Sequence, residues 1–536
     1  MLGKTTLKKF KMRKKPSARP VDPRKRLRRR LFVGALALPP VVVAALGLNA
    51  ARIIYADNHS ADASLIPLAA VPHPPQRLLV FAPHCDDETL GVAGLMKTAR
   101  QNGCDVKVVI CTNGDGFRVG VERTFHKLSV GSADFIRYGY LRQQEARVAL
   151  GVLGVPRDHI VFLGYPDRGL MHMWTDNWSP DSPYRSAFTL ANRSPYNDSF
   201  TPAAIYCGAS ILSDIKEQLE EDKPTDIYVT HPSDDHPDHA AASVFVKEAL
   251  DELRAKREPW AEKATLRYYL VHRGDWPIPQ GLSEDNAMPP PAQMASIDTK
   301  WEQFPLSKYL VERKYAAIKR YRSQVEVTAR FLYSFARKNE LFGTLLEPQQ
   351  PAIQRVENGT ISFNDPDFLW RSMPLVIMDP VADSVGRAFQ AGGDIQSVRA
   401  CRDSSTLFVR ATMRDQTDSR TAYTLVLRPV LGSRTSQPAT TMTVIGHTSA
   451  SGTPLASHPG IYWRRSGRNV DFKIPLTYCS VSDQSSNRVA LYMEVATSVA
   501  NMSIDNTGFR GGQISGPSMT ARAYPEQRAG RHHTAL

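Results

Sequence analysis

The stretch from Arg77 to His272 alternates short apolar runs with longer segments of helical periodicity. The short runs predict strands at Arg77–Ala82, Val106–Thr112, Ile160–Leu163, Asp226–Thr230 and Leu266–Val271. The longer segments predict helices at Leu90–Gln101, Ala133–Leu153, Ala203–Glu221 and Ala240–Lys256. Because regular alternation of this kind is typical of parallel sheets, we expect an α/β fold. Its core would be a Rossmann-like, mostly parallel sheet with helices on both faces.

The pattern changes twice in the second half of the chain. Residues 308–342 have helical periodicity and predict an amphipathic helix that closes the sheet. Beyond Met373 come short β runs, separated by Gly, Ser, Asn and Pro, at Thr406–Met413, Tyr423–Val430, Met442–Gly446, Val470–Ile474 and Val489–Val495. Runs of this length and spacing predict a C-terminal all-β sandwich domain.

The amino-terminal segment combines a basic tail with an apolar run. Residues 1–30 contain fourteen Lys or Arg and one acidic residue, and residues 31–48 contain no charge. Eighteen apolar residues are near the lower limit for crossing a hydrocarbon core of about 30 Å. Basic residues before such a segment keep the amino terminus in the cytoplasm. We therefore expect a retained, single-pass anchor in the cytoplasmic membrane with the body of the protein outside. A cleaved signal peptide and a purely cytosolic protein are the alternatives.

The basic tail also changes how the net charge is interpreted. The whole chain has a formal charge of +14, and residues 1–30 alone account for +13 of it. The rest of the protein is therefore nearly neutral, which argues against a nucleic-acid-binding groove on the folded part. No GxGxxG follows the first predicted strand, so a dinucleotide is not indicated either.

Two clusters of His and acidic residues follow predicted strands. His84 to Glu88 comes directly after the first strand, and His231 to His239 comes after the fourth. Acidic residues at the start of a helix can simply cap it, and capping alone would explain one such cluster. Two such clusters, each between a strand and a helix, indicate a shared site at the carboxyl ends of the strands.

These clusters resemble the motifs of a known family. His84–Glu88 is similar to the AHPDDE motif of the PIG-L/LmbE-like zinc-dependent N-deacetylases, and His236–His239 is similar to their HPDH motif. The resemblance extends over residues 76–345, through Arg142–Gly151, Leu163–Asp167, Leu270–Pro277 and Lys314–Phe342. Cys85 stands where the motif usually has proline, and we expect its side chain to point away from the ligands.

The residue types of the clusters favour a metal centre. His84 and Asp87 lie three residues apart on one turn, and His239 would reach them from the other. Two imidazoles and one carboxylate are typical of catalytic zinc sites, and iron(II) suits the same donors.

The resemblance implies further roles. It makes Asp86 the general base that activates water, and makes His236 the group that stabilises the tetrahedral intermediate or protonates the leaving amine. Asp238 would orient an imidazole, and Arg142 would bind substrate, with a surface or helix-pairing role as the alternative. The loop 167–202 contains four aromatic residues, Trp174, Trp178, Tyr184 and Tyr196. They could stack on the sugar rings of a substrate, and the alternative is that they anchor the loop by packing.

These observations define a domain plan and a function. The predicted parts are a basic cytoplasmic tail (1–30), a transmembrane signal anchor (31–54), a linker (55–76), a deacetylase domain (77–345), a second linker (346–373), a β-sandwich (374–510) and a disordered tail (511–536). Asp379–Asp383 and Asp394–Ile395 are similar to the opening of carbohydrate-binding modules, although a non-binding domain is equally compatible.

We expect a metal-dependent enzyme that removes the N-acetyl group from an N-acetylated sugar or glycan and releases acetate. Two other classes remain open. One is a carbohydrate-binding envelope protein with a degenerate fold, and the other is an amidase for a non-sugar amide.

Overall fold

The computed structural model describes residues 63–514, except 275, 292–293, 295–298, 346–351, 362–366, 380–390, 431–441, 446–453, 456–457, 480–488 and 500–501. All of them belong to one compact unit, Asp57–Leu536. The predicted basic tail and the predicted anchor, residues 1–54, lie outside the described residues. Among the helices of the described ranges, none is long and apolar enough to cross a membrane.

The α/β part, residues 77–345, is built on a seven-stranded sheet. Its strands are β1 (Arg77–Ala82), β2 (Asp105–Thr112), β3 (Ile160–Tyr165), β4 (Asp226–Thr230), β5 (Thr265–Tyr269), β6 (Thr299–Pro305) and β7 (Asn339–Leu345). Its helices are α1 (Asp87–Gln101), α2 (Arg118–Phe125), α3 (Ser132–Leu153), α4 (Leu170–Thr175), α5 (Gly208–Asp222), α6 (Pro237–Ala255), α7 (Pro259–Lys263), α8 (Lys308–Ile318) and α9 (Arg322–Tyr333).

The strand order β3-β2-β1-β4-β5-β7-β6 places a topological switch at β1. This strand pairs in parallel with β2 on one side and with β4 on the other. The chain therefore moves outward through β2 and β3, then returns to the far side of β1 to begin β4. Ligand sites in open α/β sheets lie at the carboxyl ends of such neighbouring strands. The predicted mixed α/β core with a parallel sheet is confirmed.

Each face of the sheet has its own core. Along β1, Leu78 and Val80 belong to one hydrophobic cluster, whereas Leu79 and Phe81 belong to the other, as the alternation of side chains in a strand requires. The first cluster is covered by α1, α3, α8 and α9. The second is covered by α4, α5 and α6. Helices thus lie on both faces, as predicted.

One edge of the sheet differs from the prediction. Residues 308–342 form two helices and then the strand β7, rather than helix throughout. This strand is antiparallel to both β5 and β6, so the sheet is mixed. The helical prediction extends too far because, in the sequence pattern, Glu340 is placed on the exposed side of an amphipathic helix. It is buried instead, and accepts a hydrogen bond of 2.8 Å from the buried Lys314 Nζ.

The β-rich region, residues 352–514, forms a second, larger sheet. Its strands are β8 (Ala352–Arg355), β9 (Leu375–Met378), β10 (Ile395–Arg402), β11 (Thr406–Met413), β12 (Thr421–Val430), β13 (Met442–Ile445), β14 (Pro454–Leu455), β15 (His458–Ser466), β16 (Asn469–Pro475), β17 (Val489–Val499), β18 (Met502–Asn506) and β19 (Arg510–Ile514), with one short helix, α10 (Asp367–Arg371). Side chains from distant strands, such as Val409 of β11 and Met493 of β17, share one hydrophobic cluster. The predicted β-rich C-terminal region is confirmed.

Both boundaries of the β-rich region lie outside the predicted range of 374–510. Residues 352–355, assigned to a linker, form β8, which pairs in parallel with β10 and with β19. Burial of Ile353 explains why so short a segment is a strand. At the other end, β19 continues to Ile514, four residues into the predicted tail. The first linker, 55–76, is also partly ordered, since Pro67 and Ala69 hydrogen-bond to the backbone of Gln303 in β6.

Candidate functional site

Two turns at the switch point carry the predicted site. One follows β1, and its residue Asp86 precedes α1 with φ 140° and ψ −27°, a conformation that few non-glycine residues adopt. The other follows β4, and His236 caps α6 by accepting a hydrogen bond from the Asp238 backbone at Nδ1. Because β1 and β4 are parallel neighbours, both turns lie at the same edge of the sheet.

Three donor atoms converge between these turns. His84 Nδ1 lies 3.1 Å from His239 Nε2 and 3.2 Å from Asp87 Oδ2, and the last two atoms are 3.1 Å apart. Ligand atoms around a tetrahedral zinc ion, with bonds of about 2.0–2.1 Å, are about 3.3 Å from each other. The triangle therefore fits the face of such a coordination sphere. These donors also suit iron(II).

Buried carboxylates surround the two imidazoles. Asp167 Oδ1 and Asp238 Oδ2 each lie 3.3 Å from His84 Nε2. Burial lowers the pKa of His84, but hydrogen bonds to Asp167, Asp238 and Asp87 outweigh it and raise the pKa well above 6.5. Several buried carboxylates around one point stabilise positive charge there, as the binding of a divalent cation requires.

Asp238 is itself fixed by the backbone. Its Oδ2 accepts a hydrogen bond of 2.6 Å from the Arg168 N–H, and its Oδ1 accepts one of 3.0 Å from the Leu170 N–H. With the carboxylate held in this way, His84 Nε2 is directed towards it and Nδ1 is directed into the triangle. The geometry is that of a carboxylate orienting a metal-binding histidine, the task predicted for Asp238.

Asp234 does the same for the second imidazole, and the sequence did not single it out. Its Oδ2 lies 3.2 Å from His239 Nδ1 and accepts hydrogen bonds of 3.0 Å from the backbone of Val271 and His272. Although burial opposes it, the charge of His239 lowers the pKa of Asp234 to about 2. Its place in the strand-to-helix turn, next to the predicted His236 and His239, was the available signal.

Arg142 of α3 holds the turn that carries Asp86. The Arg142 Nη2 donates to Asp86 Oδ1 at 3.2 Å and to the Cys85 carbonyl at 2.7 Å, and Nη1 donates to the Gly114 carbonyl at 3.0 Å. Burial raises the pKa of Asp86 to about 8, while Arg142 lowers it. A cation held by the neighbouring ligands would shift the carboxyl further towards its ionised form.

The location of Arg142 differs from the expectation of a substrate contact. Only 4% of the residue is exposed, and the hydrogen bonds of its guanidinium are made to the turn that carries Asp86 and to the Gly114 carbonyl. The reason is the packing of α3, which buries Arg142 on the side facing the sheet. Its contacts are those of a residue that positions Asp86.

His236 is arranged as a neutral hydrogen-bond donor. Burial and the neighbouring imidazoles His84, His239 and His272 lower its pKa well below 6.5. Because Nδ1 accepts the Asp238 N–H at 3.2 Å, the single proton of the neutral ring is on Nε2. Its ring centroid is 4.7 Å from that of His84, so this proton is available beside the triangle.

His272 is a further residue that the sequence did not single out. It follows β5, and its ring centroid lies 5.0 Å from that of His239. Its ring stacks on Phe331 at 5.1 Å. Ligand atoms of Asp87, His239 and His272 all lie within 4.8 Å of one another, as do those of His84, His236 and His239. His272 therefore lines the same centre.

Cys85 points away from the ligands, as expected. Its side chain is buried in the hydrophobic cluster on the α1 side of the sheet. Burial raises the pKa of the Cys85 thiol well above its ordinary value. Because the thiolate is the form that binds metals, a buried thiol of this kind does not compete for the ion.

The aromatic residues of the loop 167–202 are mainly packing anchors. Trp174 is buried between Phe245 and Phe509, at ring-centroid distances of 5.0 and 5.6 Å. Tyr196 is also buried, and its hydroxyl donates to Asp115 at 2.6 Å. Neither ring is exposed for stacking on a sugar. Tyr184 is half-buried and stacks on His172 instead.

The fold and the site together define a class. This is an α/β protein whose sheet carries, at its switch point, two imidazoles and one carboxylate that can hold a metal, with a buried carboxyl and a neutral imidazole beside them. Residues 79–250 match the family model described as PIG-L, GlcNAc-PI de-N-acetylase. This part of the chain is a PIG-L family domain, and the resemblance inferred from the motifs is confirmed.

Several curated proteins are similar to this part of the chain. A 1D-myo-inositol 2-acetamido-2-deoxy-alpha-D-glucopyranoside deacetylase from Mycobacterium sp. (strain KMS) is 33% identical over 166 residues, which is 30% of this chain and 46% of the relative. The chain thus spans about half the length of that relative. A protein of the same name from Tsukamurella paurometabola is 27% identical over 282 residues, 47% of this chain and 84% of the relative.

Solved structures show weaker similarity. The N,N'-diacetylchitobiose deacetylase from Pyrococcus horikoshii is 17% identical, with a TM-score of 0.30 over 50% of this chain and 82% of that one. A conserved protein from Thermus thermophilus is 20% identical, with a TM-score of 0.30 over 48% of this chain and 84% of that one. At these scores neither likeness bears on function.

Proposed function

We propose that the chain is a metal-dependent hydrolase that removes the N-acetyl group from an N-acetylglucosamine-type sugar or glycoconjugate and releases acetate. The observation that carries the proposal is the triangle of His84 Nδ1, Asp87 Oδ2 and His239 Nε2, with sides of 3.1–3.2 Å. The substrate class is supported by the curated relatives, whose names describe removal of an acetyl group from an N-acetylglucosaminyl inositol.

Hydrolysis of an amide is difficult near neutral pH, because water is a weak nucleophile and an amide carbonyl is a weak electrophile. A zinc or iron(II) ion held by His84, Asp87 and His239 would supply acidification of water and polarisation of the acetyl carbonyl. Asp86, adjacent in sequence to the ligand Asp87, then accepts the proton of the attacking water. Arg142 keeps that carboxylate in place through the hydrogen bond to Oδ1.

His236 has a separate task. When water adds to the acetyl carbonyl, its oxygen becomes negatively charged and needs hydrogen-bond donors. The neutral His236 ring carries its proton on Nε2 and can donate it to that oxygen. The proton taken by Asp86 is then available for the departing amine of the sugar, so acetate and a free amine are formed.

The same residues argue against a protein that only binds carbohydrate. Asp238 and Asp234 orient His84 and His239 through contacts of 3.3 and 3.2 Å. Burying this many carboxylates without a function would cost stability. The presence of all these carboxylates therefore supports an active enzyme rather than a protein that has lost catalysis.

Release of acetate is the direct test. The purified protein would be incubated with N-acetylglucosaminyl inositol, N-acetylglucosamine oligomers, lipid-linked N-acetylglucosamine and thiol conjugates, and acetate and free amine would be measured together. We expect equal amounts of both products from at least one of these compounds, loss of activity with a chelator, and recovery with zinc or iron(II). Acetate only from non-sugar amides would instead identify an amidase. If no compound releases acetate while the protein holds metal, the catalytic proposal fails.

We propose further that the protein is a single-pass protein of the cytoplasmic membrane with its catalytic part outside. The proposal is supported by fourteen basic residues directly before an uncharged stretch of eighteen apolar residues. This asymmetry disfavours export of the amino terminus. Glycans of the envelope or the extracellular space would then be the accessible N-acetylated substrates.

A further inference from the structure

The β-rich region contacts the turn that carries the second half of the metal cluster. Gly508 has φ +61°, and a Cβ atom at this position would lie 2.2 Å from the carbonyl oxygen of Pro232. Two residues further on, Arg510 Nη2 donates a hydrogen bond of 2.9 Å to Ser233 Oγ. The backbone of one region therefore packs directly on the metal-binding turn of the other.

The contacted turn also determines the orientation of His239. Asp234 follows Ser233 in sequence, and its carboxylate lies 3.2 Å from His239 Nδ1. From the α/β side, Arg273 Nη1 donates to the Ser233 carbonyl at 2.9 Å. The turn is thus held between Arg273 on one side and Arg510 on the other. A shift of Ser233 would move the carboxylate that orients the imidazole.

A second contact reaches the element beside His84. The guanidinium of Arg428 in β12 lies over the rings of Trp178 and Trp174, at 3.2 and 4.0 Å from their centroids, and Nη1 donates to the Trp174 carbonyl at 2.8 Å. Trp174 belongs to α4, whose first residue, Leu170, donates its N–H to Asp238. Asp238 in turn orients His84.

The two contacts are parts of a continuous core. Val426, Tyr492 and Phe509 of the β-rich region belong to the same hydrophobic cluster as residues of α4 and α6. Tyr492 also donates to Asp251 of α6 at 3.3 Å. Because packed interiors transmit displacements rather than absorb them, the position of the β-rich region is coupled to both sides of the site.

We propose that the β-rich region is a positioning element of the metal centre, in which Arg510 holds the turn that orients His239 and Arg428 holds the helix that supports Asp238 and His84. Arg510 and Arg428 are positioning residues, since neither touches the ligand atoms. The inference rests on the proposed metal site at His84, Asp87 and His239. It assigns the region a role that a freely tethered carbohydrate-binding module would not have.

The test measures zinc affinity in the full chain. The apo protein would be titrated with zinc against a chromophoric chelator, for wild type and for Arg510→Ala. We expect the zinc Kd to rise about 10-fold, the lower end of the effect of removing groups that support metal ligands. Arg468→Ala is the matched control, because Arg468 hydrogen-bonds to Met413 and Gln396 within the β-rich region. Its zinc Kd should equal that of wild type.

Ser233→Ala removes the same hydrogen bond from the α/β side. If this hydrogen bond transmits the effect, the zinc Kd of Ser233→Ala should equal that of Arg510→Ala. The double variant should show the same Kd, since the interaction can be lost only once. Effects that simply add, or a Kd for Arg510→Ala within twofold of wild type, would overturn the proposal. Should Arg510→Ala fail to fold, an unchanged Kd in Ser233→Ala would overturn it alone.

Zinc titration needs no substrate, so the two proposals fail separately. Wild-type protein that binds zinc but releases no acetate would contradict the proposed function and leave the positioning role standing. Wild-type protein that releases acetate, together with unchanged zinc affinity in Arg510→Ala, would contradict the positioning role only. Wild-type protein that holds neither zinc nor iron(II) would contradict both.

Discussion

Asp86 is the residue whose backbone and side chain are both unusual. Its φ of 140° is a strained conformation for a residue with a Cβ, and strain of this kind is typical of functional sites. Asp87, the next residue, forms one corner of the triangle, and the Asp86 carboxylate contacts Arg142. In the proposed mechanism these two adjacent residues serve different purposes, Asp87 as metal ligand and Asp86 as base.

Asp86→Asn separates these purposes. Asn keeps the size and hydrogen-bonding shape of Asp, but it cannot act as a base. We expect kcat to fall by roughly 10²- to 10⁴-fold, the usual effect of removing a general base. Zinc content, measured by mass spectrometry, should remain that of wild type. Near-normal turnover would show that Asp86 only caps α1.

At the level of elements, the β4-to-α6 turn delivers most of the site. It supplies Asp234, His236 and His239 within one short segment, because a strand, a tight turn and a helix start follow each other there. The turn also receives backbone hydrogen bonds from the segment after β5, through Val271 and His272. The placement of His239 therefore depends on the neighbouring strand as well as on its own helix.

Asp234→Asn tests this dependence. An amide at this position can still accept backbone hydrogen bonds, but it no longer stabilises the His239 imidazole by charge. We expect zinc affinity to fall by about 10- to 100-fold. Asp226→Asn is the control, because Asp226 lies at the opposite end of β4 and pairs with Arg267 rather than with a ligand. Equal zinc affinity in the two variants would show that Asp234 does not act through His239.

Some strands of the α/β sheet could be predicted from the sequence and others could not, for physical reasons. Strands β1, β2 and β4 could be predicted because continuous apolar runs mark strands buried on both faces. Strands β6 and β7 could not, since β6 is the edge strand and β7 contains polar residues that are buried, such as Glu340. The edge strand β6 even includes Lys300, Glu302 and Gln303.

Part of the candidate site could likewise be predicted from the sequence, and part could not. The close placement of His84, Asp87 and His239 could be expected, because they lie in the two segments that follow predicted parallel strands, and parallel strands end at one edge of the sheet. The contacts of Arg142 and Asp167 could not be, because the packing of α3 and the course of the chain after β3 determine them. Side chains that orient ligands depend on tertiary contacts that no local motif records.

At the level of the whole molecule, a buried carboxyl lies between the two regions. Glu248 of α6 is 3% exposed and lies 3.7 Å from Arg428. Burial raises the pKa of Glu248 from 4.5 to about 7, although Arg428 opposes the shift. Above pH 4.5 the unfolded chain loses this proton while the folded protein keeps it. Stability therefore falls as the pH rises from 4.5 to about 7.

Glu248→Gln should remove this dependence. The loss in wild type between pH 4.5 and about 7 is on the order of 3 kcal/mol from this group. We expect the variant to show a smaller decrease in the free energy of unfolding over that range, measured by denaturant titration at several pH values. Glu122→Gln, on α2 and paired with Arg118, is the control, because Glu122 lies outside the surroundings of Glu248. Parallel pH curves for Glu248→Gln and wild type would contradict a protonated Glu248.

Membrane topology is the second property of the whole molecule. A reporter that is active only outside the cytoplasm would be fused after Leu536, and the same reporter would be fused before residue 31. We expect activity from the first fusion only, because the basic tail keeps the amino terminus inside. Activity from the second fusion alone would place the catalytic part in the cytoplasm. The accessible substrate would then be a small metabolite instead of an envelope glycan.

The stacking of Arg428 on Trp174 and Trp178 also gives the protein an optical signal. These are two of the seven tryptophans in the chain, and Trp174 is fully buried between the two regions. Separation of the regions would bring its indole into water and remove the guanidinium from its face, so the emission maximum would shift to longer wavelength. Fluorescence therefore offers a view of domain separation under conditions in which the protein stays folded, without any added dye.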